Sequence, residues 1–526
     1  MRLAPEIAIA DGAASPAKSW SRATAALAVA AVFIFMLLVW VGASGVRGSD
    51  QYWYIADVES LVDGRGVQTN EIYPVSIRSE IAPLPRPFVH NILNIYVVAL
   101  PALIFGAYGG WIAVNLFSSL LTAFVIFCTV VRLADSHGAA LTGALIYLLL
   151  PVTVWQTTQP LAEASIAPLV AVSAYLYVTA AASYWRWILL MVVAALLVYC
   201  RESFAPLLLL VPVAYVIHTR PPRFGRFVAA AGLATLGAVL WVLGKHLFEP
   251  YMSASYMSVL ASAGPNASNM NTFFDLSGEP PTISAIIAKV LHGLAIQFVK
   301  INAGYFLFYL PFNMMALVPL VLLLKYRRSG IARVATAGLL AVTLQMLTAI
   351  VVQNQFRYLL IATPPLLVAV GVGLGRAEWF RTSRAPVIAM IVAVLIAVAP
   401  GAVLAWRSHG GGVQDRQVRE NLAAAFGEKL HTGDTVMVAL DLTEGFDAQV
   451  LGYVLRPRRV LYVSDRYNAD DYAALIRNAN AKWLLSRRDA PVLDRLTPLV
   501  PRDPWALPAP FADWSVFSIE SAGGAP

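Results

Sequence analysis

The chain has 526 residues, of which 59% are hydrophobic and 13% charged, where a soluble protein has about 25% charged residues. Its mean hydropathy is +0.67, which excludes an ordinary soluble enzyme or a disordered chain and leaves room for many membrane spans and one modest soluble domain. The formal charge of +8 does not point to nucleic acid, because the basic residues fall in short loops between apolar runs, the pattern of a topology signal.

The start, Met1-Arg2-Leu3-Ala4-Pro5-Glu6, lacks a signal-peptide layout. The first apolar run, 23–46, is long and ends without a small-residue cleavage motif, so it reads as a retained anchor. Further runs of spanning length lie at 111–133, 139–155, 161–181, 186–200, 203–218, 226–245, 303–325, 331–352, 357–375 and 386–406. The run 89–107 is interrupted by Asn91, Asn94 and Pro101. Basic residues cluster at Arg220, Arg223 and Arg226, at Lys325, Arg327, Arg328 and Arg333, and at Arg376, Arg381 and Arg384. These loops share one side, the cytoplasmic one, only if 89–107 does not cross, so that segment is read as a re-entrant or interfacial helix. The expectation is an α-helical polytopic membrane protein of about eleven transmembrane helices, with the N-terminus inside and the C-terminus outside. Cys128 and Cys200 both sit in apolar runs, which speaks against a disulfide framework.

Two long loops then face outward, 47–110 and 246–302. The second ends in an amphipathic stretch, 282–300, whose apolar positions suit a membrane surface. From Arg407 the composition changes. Gly410-Gly411-Gly412 reads as a hinge-like linker, followed by a helix (415–430), a strand (Val436 to Leu440), a helix (446–454), a strand (Val460 to Val463), a helix (469–479) and a strand (Trp483 to Leu485). Alternating helices and short apolar strands predict a small C-terminal α/β domain, 407–526, after a membrane domain, 1–406. It has no Gly-rich phosphate loop.

Asp50 stands at the outer mouth of the first span, in Gly48-Ser49-Asp50-Gln51-Tyr52-Trp53-Tyr54. A carboxylate there can take a proton from a hydroxyl at the membrane–water boundary. Asp57, Glu59 and Asp63 continue a helical pattern and read as its wet face. Arg65, Arg78, Arg86 and His90 supply cations that can stabilise a departing phosphate. Glu163 is an isolated acid beside an apolar span; it either faces a polar cavity or reaches water at the interface. Arg201 and Glu202 meet between two short spans and can pair with each other. Arg357 and Tyr358 open another span, where an arginine suits either a lipid phosphate or interfacial anchoring.

These motifs resemble the GT-C glycosyltransferases, polytopic enzymes that use polyprenyl-phosphate sugars and include lipid A aminoarabinose transferases and protein O-mannosyltransferases. The similarity rests on Asp50 with Tyr54, Ala56 and Gly64-Arg65-Gly66, on Arg86-Pro87-Phe88-Val89-His90, on Pro151 with Pro160-Leu161-Ala162-Glu163, and on Arg357-Tyr358-Leu359-Leu360 with Pro364-Pro365. The sequence departs from the pattern in having Gln51 where many relatives carry a second acid, and Pro85-Arg86-Pro87 in place of a double proline. The resemblance implies an inverting transferase of the bacterial inner membrane, with a polyprenyl-phosphate sugar donor, a lipid, glycan or protein hydroxyl as acceptor, and the C-terminal domain in the periplasm. It implies Asp50 as general base, Glu163 as a second site acid, and Arg201, Arg357, Arg78 and Arg86 toward the donor phosphate. Tyr54, His90 and Tyr358 would bind substrate, and a divalent metal, Mg or Mn, is a candidate between Asp50 and Glu163. The rivals are a lipid-linked glycan flippase or other transporter, which needs ionisable groups deep within several spans, and a scaffold subunit of an envelope complex.

Overall fold

A computed structural model describes residues 22–43, 49–67, 71–72, 92–180, 183–201, 204–218, 224–248, 284, 291, 306–326, 330–352, 358–381, 385–440, 445–464, 469–490, 493 and 504–519. Helix α1 is Arg22–Gly42 and α2 is Ser49–Val62, followed by the two-residue strand β1, Glu71–Ile72. The helical bundle continues with α3 (Ile92–Ala134), α4 (His137–Leu149), α5 (Pro151–Thr157), α6 (Ala162–Thr179), α7 (Tyr184–Cys200), α8 (Pro206–His218) and α9 (Phe224–Phe248). Then come α10 (Phe306–Tyr326), α11 (Ile331–Val352), α12 (Leu359–Arg376) and the long α13 (Ala385–Lys429). The last part holds β2 (Thr435–Leu440), α14 (Gly445–Val454), β3 (Arg459–Ser464), α15 (Ala469–Ala479), β4 (Ala481–Arg487), β5 (Trp505–Ala506) and β6 (Trp514–Ser518).

The bundle is apolar both inside and out. Small residues such as Ala139, Ala140, Ala144, Ala362 and Ala369 are buried between helices, which lets backbones approach closely where lipid gives no hydrophobic drive to pack. Large apolar side chains, among them Trp40, Leu103, Ile104, Phe117 and Phe124, point outward, as expected of a multi-pass protein in lipid. Among the described residues, four helices are long and apolar enough to cross a membrane: α3, α6, α12 and Phe224–Gly244 of α9; a fifth is added if α4 and α5 count as one bent span. Shorter apolar stretches are Ala26–Gly42, Tyr184–Cys200, Pro206–His218, Phe312–Tyr326 and Ile331–Gln345.

Two expected elements differ from the sequence reading, the run 139–155 and the linker Gly410-Gly411-Gly412. The run 139–155 is not one straight span: α4 and α5 meet at 55°, because Pro151 has no N–H to donate and forces Leu150 to φ −56°, ψ 133°. Within the segment 89–107, the helix from Ile92 is set off from the following span by Gly106, which breaks α3 at φ 72°, a conformation that glycine adopts without steric cost. Gly410-Gly411-Gly412 is not a hinge but lies inside the continuous α13. Glycine in a helix costs about 1 kcal/mol per residue, and packing at both ends of α13, against α1 and α4 on one side and α14 on the other, outweighs that. Of the amphipathic 282–300 stretch, only Ser284 and Leu291 are described, both helical; the rest lies outside the described residues.

The predicted strands and helices between 436 and 485 are present, each within two residues of the expected bounds. They form a six-stranded sheet in the order β1-β3-β2-β4-β6-β5. β1, β3, β2 and β4 run parallel, and β6 and β5 close the far edge antiparallel. The edge strand β1 comes from the first long loop, with Glu71 opposite Val460 and Ile72 opposite Leu461. The end of α13 is fastened to this sheet by Arg458, whose guanidinium donates to Leu430 O (2.6 Å) and to Phe426 O (3.2 Å), which also accepts the Leu430 N–H, at a helix C-terminus where carbonyls run short of backbone partners.

Candidate active site

Helix α2 lies between the bundle and the sheet and presents a different set of residues to each. Helical period puts positions 50, 54 and 57 on one face and 52 and 59 on the other. On the bundle side, Trp111 Nε1 donates to Tyr54 O at 3.2 Å, and the two rings lie 5.6 Å apart. On the sheet side, the Tyr52 hydroxyl donates to Asp415, Tyr453 donates to Glu59 at 2.9 Å, and Arg456 pairs with Glu59 at 2.6 Å. The wet face expected for Asp57, Glu59 and Asp63 is therefore only partly wet. Asp57 is 2% exposed and Glu59 is taken up by the Arg456 pair, while Asp63 is exposed and pairs with Arg65 at 2.6 Å. Alternation of polar and apolar residues cannot distinguish water from a second protein layer, so this face was misread.

Tyr54, Trp111, Leu161, Ala162, Cys200 and Tyr358 belong to one buried cluster. Helix α6 packs against α3, α7 and α12, and α3 packs against α2. Where α6 meets α7, Glu163 and Arg201 form a buried ion pair, Nη1 to Oε1 2.7 Å. Glu163 occupies the first turn of α6, where the helix dipole favours an anion, and Arg201 caps the end of α7, where it favours a cation. The Arg201 guanidinium also sits 4.3 Å over the centre of the Tyr358 ring, and Tyr358 is fully buried. Three of the sequence-predicted residues, Glu163, Arg201 and Tyr358, thus form one assembly, though Arg201 reaches Glu163 across 38 positions, a partner that the sequence reading did not foresee. Asp50 is the second residue of α2; its side chain lies outside the described set, as do Arg78, Arg86, His90, Glu202 and Arg357.

No family model matches the chain, and no curated protein matches it. Among solved structures, ArnT from Cupriavidus metallidurans bound to undecaprenyl phosphate superposes with a TM-score of 0.58 at 12% identity, over 95% of this chain and 99% of that one. The same protein in the apo state gives 0.56 at 12% identity, over 95% and 98%. The chain has the GT-C fold. An oligosaccharyltransferase from Archaeoglobus fulgidus, tethered to an acceptor peptide, aligns more weakly: TM-score 0.42, 13% identity, 88% of this chain and 69% of that one.

Within this GT-C fold, a buried polar belt holds the turn that delivers Glu163. Asn115 Nδ2 donates to Gln159 O (2.8 Å) and Leu161 O (3.0 Å), and the Ser119 and Thr157 hydroxyls are 2.8 Å apart. Sequence reasoning missed these residues, yet a signal was present. Asn115, Ser118, Ser119 and Thr122 recur at i, i+3, i+4 and i+7 in an otherwise apolar run, which marks a polar stripe facing the protein interior.

Of the expected metal pair, the Asp50 side chain lies outside the described residues and only Glu163 is described. Its Oε1 is already bound to a guanidinium that supplies the positive charge. Among the described residues, no group of three or more His, Cys, Asp or Glu side chains is placed to hold a metal ion. Leu197, Phe204 and Ile361, each within four positions of Arg201 or Tyr358, help line a mostly apolar cavity of about 90 Å³ that runs between α6, α7, α8, α11 and α12 to Tyr177, Leu190 and Leu340.

Proposed function

We propose that the protein is an inverting membrane glycosyltransferase that moves a sugar from a polyprenyl-phosphate donor to a lipid, glycan or protein hydroxyl on the periplasmic side. The acceptor oxygen bonds the anomeric carbon as its bond to phosphate breaks. The proton passes to Asp50 and the electron pair leaves on the phosphate. Arg201, with Arg357, Arg78 and Arg86, offers charge to that leaving group. Glu163 holds Arg201 in place. Tyr54, His90 and Tyr358 line the sugar or its carrier.

The observation that carries this reading is the buried Glu163–Arg201 pair stacked on Tyr358, with a mostly apolar cavity lined by Leu197, Phe204 and Ile361, close in sequence to Arg201 and Tyr358. A fixed cation beside a greasy slot suits a ligand with a charged phosphate and a prenyl tail. That ArnT, which shares the fold, was solved with undecaprenyl phosphate supports the same ligand class. The test is mass spectrometry of envelope glycolipids and glycans from a deletion strain, complemented by the native gene or by Asp50→Asn. A sugar modification lost on deletion and restored only by the native gene supports the reading. An unchanged set of glycolipids and glycans on deletion overturns it, and full complementation by Asp50→Asn removes Asp50 as the base.

A further inference from the structure

The residues that bridge α2 to the sheet do more than fill an interface. Glu59 accepts from both Tyr453 (2.9 Å) and Arg456 (2.6 Å). Two helical turns earlier, Tyr52 packs on Tyr453 with ring centres 5.2 Å apart and donates to Asp415 on α13. Arg419 closes the set: it ion-pairs with Asp415 at 3.1 Å and lies over both the Tyr52 and Tyr453 rings, 5.8 and 5.7 Å from their centres. Burial, then the Asp415 charge, push the Tyr52 phenol up, so it remains a donor through the neutral range. All these anchors fall on the 52/59 face of α2, opposite the face of position 50. A helix is a stiff rod, so two anchors seven residues apart set both its roll and its tilt, and hence where its second residue stands.

We infer that the C-terminal segment is a latch that positions the proposed base: Arg456, Tyr453 and Asp415 hold the back of α2 through Glu59 and Tyr52, and thereby set the placement of Asp50. The inference rests on the transferase reading. It makes Arg456, Tyr453 and Asp415 positioning residues that touch neither donor nor acceptor, and it gives the sheet a role in catalysis without any substrate contact of its own.

The experiment uses the full chain in nanodiscs, with a membrane-lipid extract rich in undecaprenyl-phosphate sugars as donor and release of undecaprenyl phosphate as readout. Small displacements of a catalytic group cost up to about 100-fold in rate. Arg456→Ala should therefore lower kcat by about 10- to 100-fold while the apparent donor KM stays unchanged. The exchange Glu59→Arg with Arg456→Glu should recover most of that loss. Tyr52→Phe, which removes one hydroxyl and keeps the ring, should show a smaller fall of the same kind and decides the matter if Arg456→Ala does not fold. Because the latch acts through Asp50, Asp50→Asn with Arg456→Ala should be no slower than Asp50→Asn alone. Unchanged kcat in folded Arg456→Ala or Tyr52→Phe, a loss that appears in KM, or a double variant slower by the product of the two single effects overturns the latch. If Asp50→Asn itself keeps native turnover, it is the base assignment that has failed.

Discussion

Glu163 and Arg201 lie at opposite helix ends, 38 positions apart in sequence, yet are joined by a 2.7 Å contact that is almost wholly buried. Breaking such a pair from one side leaves an uncompensated charge and costs about 3–5 kcal/mol. Glu163→Ala should thus lower the thermal midpoint sharply and leave Arg201 poorly placed. Arg201→Lys keeps the charge but loses the flat contact with Tyr358. It should fold with a small shift and still lose donor affinity. Native stability in Glu163→Ala, measured by thermal melts in detergent, would show that the pair contributes little.

Asp50→Asn keeps the shape of the side chain and removes the proton acceptor. General-base catalysis is worth about 10²- to 10⁴-fold, so turnover should fall by that factor while expression and melting stay normal. Steady-state rates of the purified variant provide the check; near-native turnover would move the base to another residue, with buried Asp57 first in line.

Arg357 distinguishes phosphate binding from anchoring. A two-pronged contact to phosphate is not reproduced by lysine, so Arg357→Lys should already raise donor KM, and Arg357→Ala should lose about 1.5–3 kcal/mol of binding. An arginine that merely anchors a helix end is replaced by lysine without kinetic effect. Equal kinetics for native and Arg357→Lys would assign the phosphate to Arg201 or Arg86.

Asp434 gives a pH dependence to the sheet. Burial pushes its carboxyl up, but the His431 N–H, Lys482 and Trp483 together outweigh burial and hold it below its ordinary value of 3.8. Its partners are close: His431 N at 2.9 Å, Lys482 Nζ at 3.1 Å and Trp483 Nε1 at 3.0 Å. A carboxyl depressed in the folded state stabilises above the unfolded value and loses that contribution as pH falls through the folded one. The sheet should therefore weaken below about pH 4, and Asp434→Asn should be less stable at neutral pH with a flatter acid limb. Circular dichroism melts of the full chain between neutral and acid pH are the measurement; identical acid limbs would remove Asp434 from the account.

The orientation follows from the basic loops. Residues 220–226, 325–333 and 376–384 should face the cytoplasm, and Ser408 onward the periplasm. Single cysteines at Ser329 and Ser408, in a background lacking Cys128 and Cys200, test this with a membrane-impermeant thiol reagent. Labelling of Ser329→Cys from outside intact cells would invert the arrangement.

Much of the secondary structure was readable in the sequence. Val436 to Leu440, Val460 to Val463 and Trp483 to Leu485 are short apolar runs separated by helical periods, and such local patterns survive folding because the sheet buries them. β1 was not readable, since two residues in a charged loop become a strand only when Val460 and Leu461 lie beside them. The Asn115 stripe was readable in principle, because its period is local. The Arg201–Glu163 pair was not, because nothing within either helix specifies the other.

Sequence alone determined that this chain is a polytopic membrane protein, that its carboxylates and arginines gather near the ends of apolar runs, and that short strands alternating with helices follow the last of them. These properties depend on composition and on periods of a few residues. Only the tertiary structure decided that Gly410-Gly411-Gly412 continues a helix, that Asp57 is buried, that Glu163 holds Arg201 rather than standing open, and that α2 is held from behind by Tyr453 and Arg456. Each depends on which distant surface arrives beside the residue. Burial and ion pairing are set by that neighbour, since the energy of a charge depends on what replaces its water.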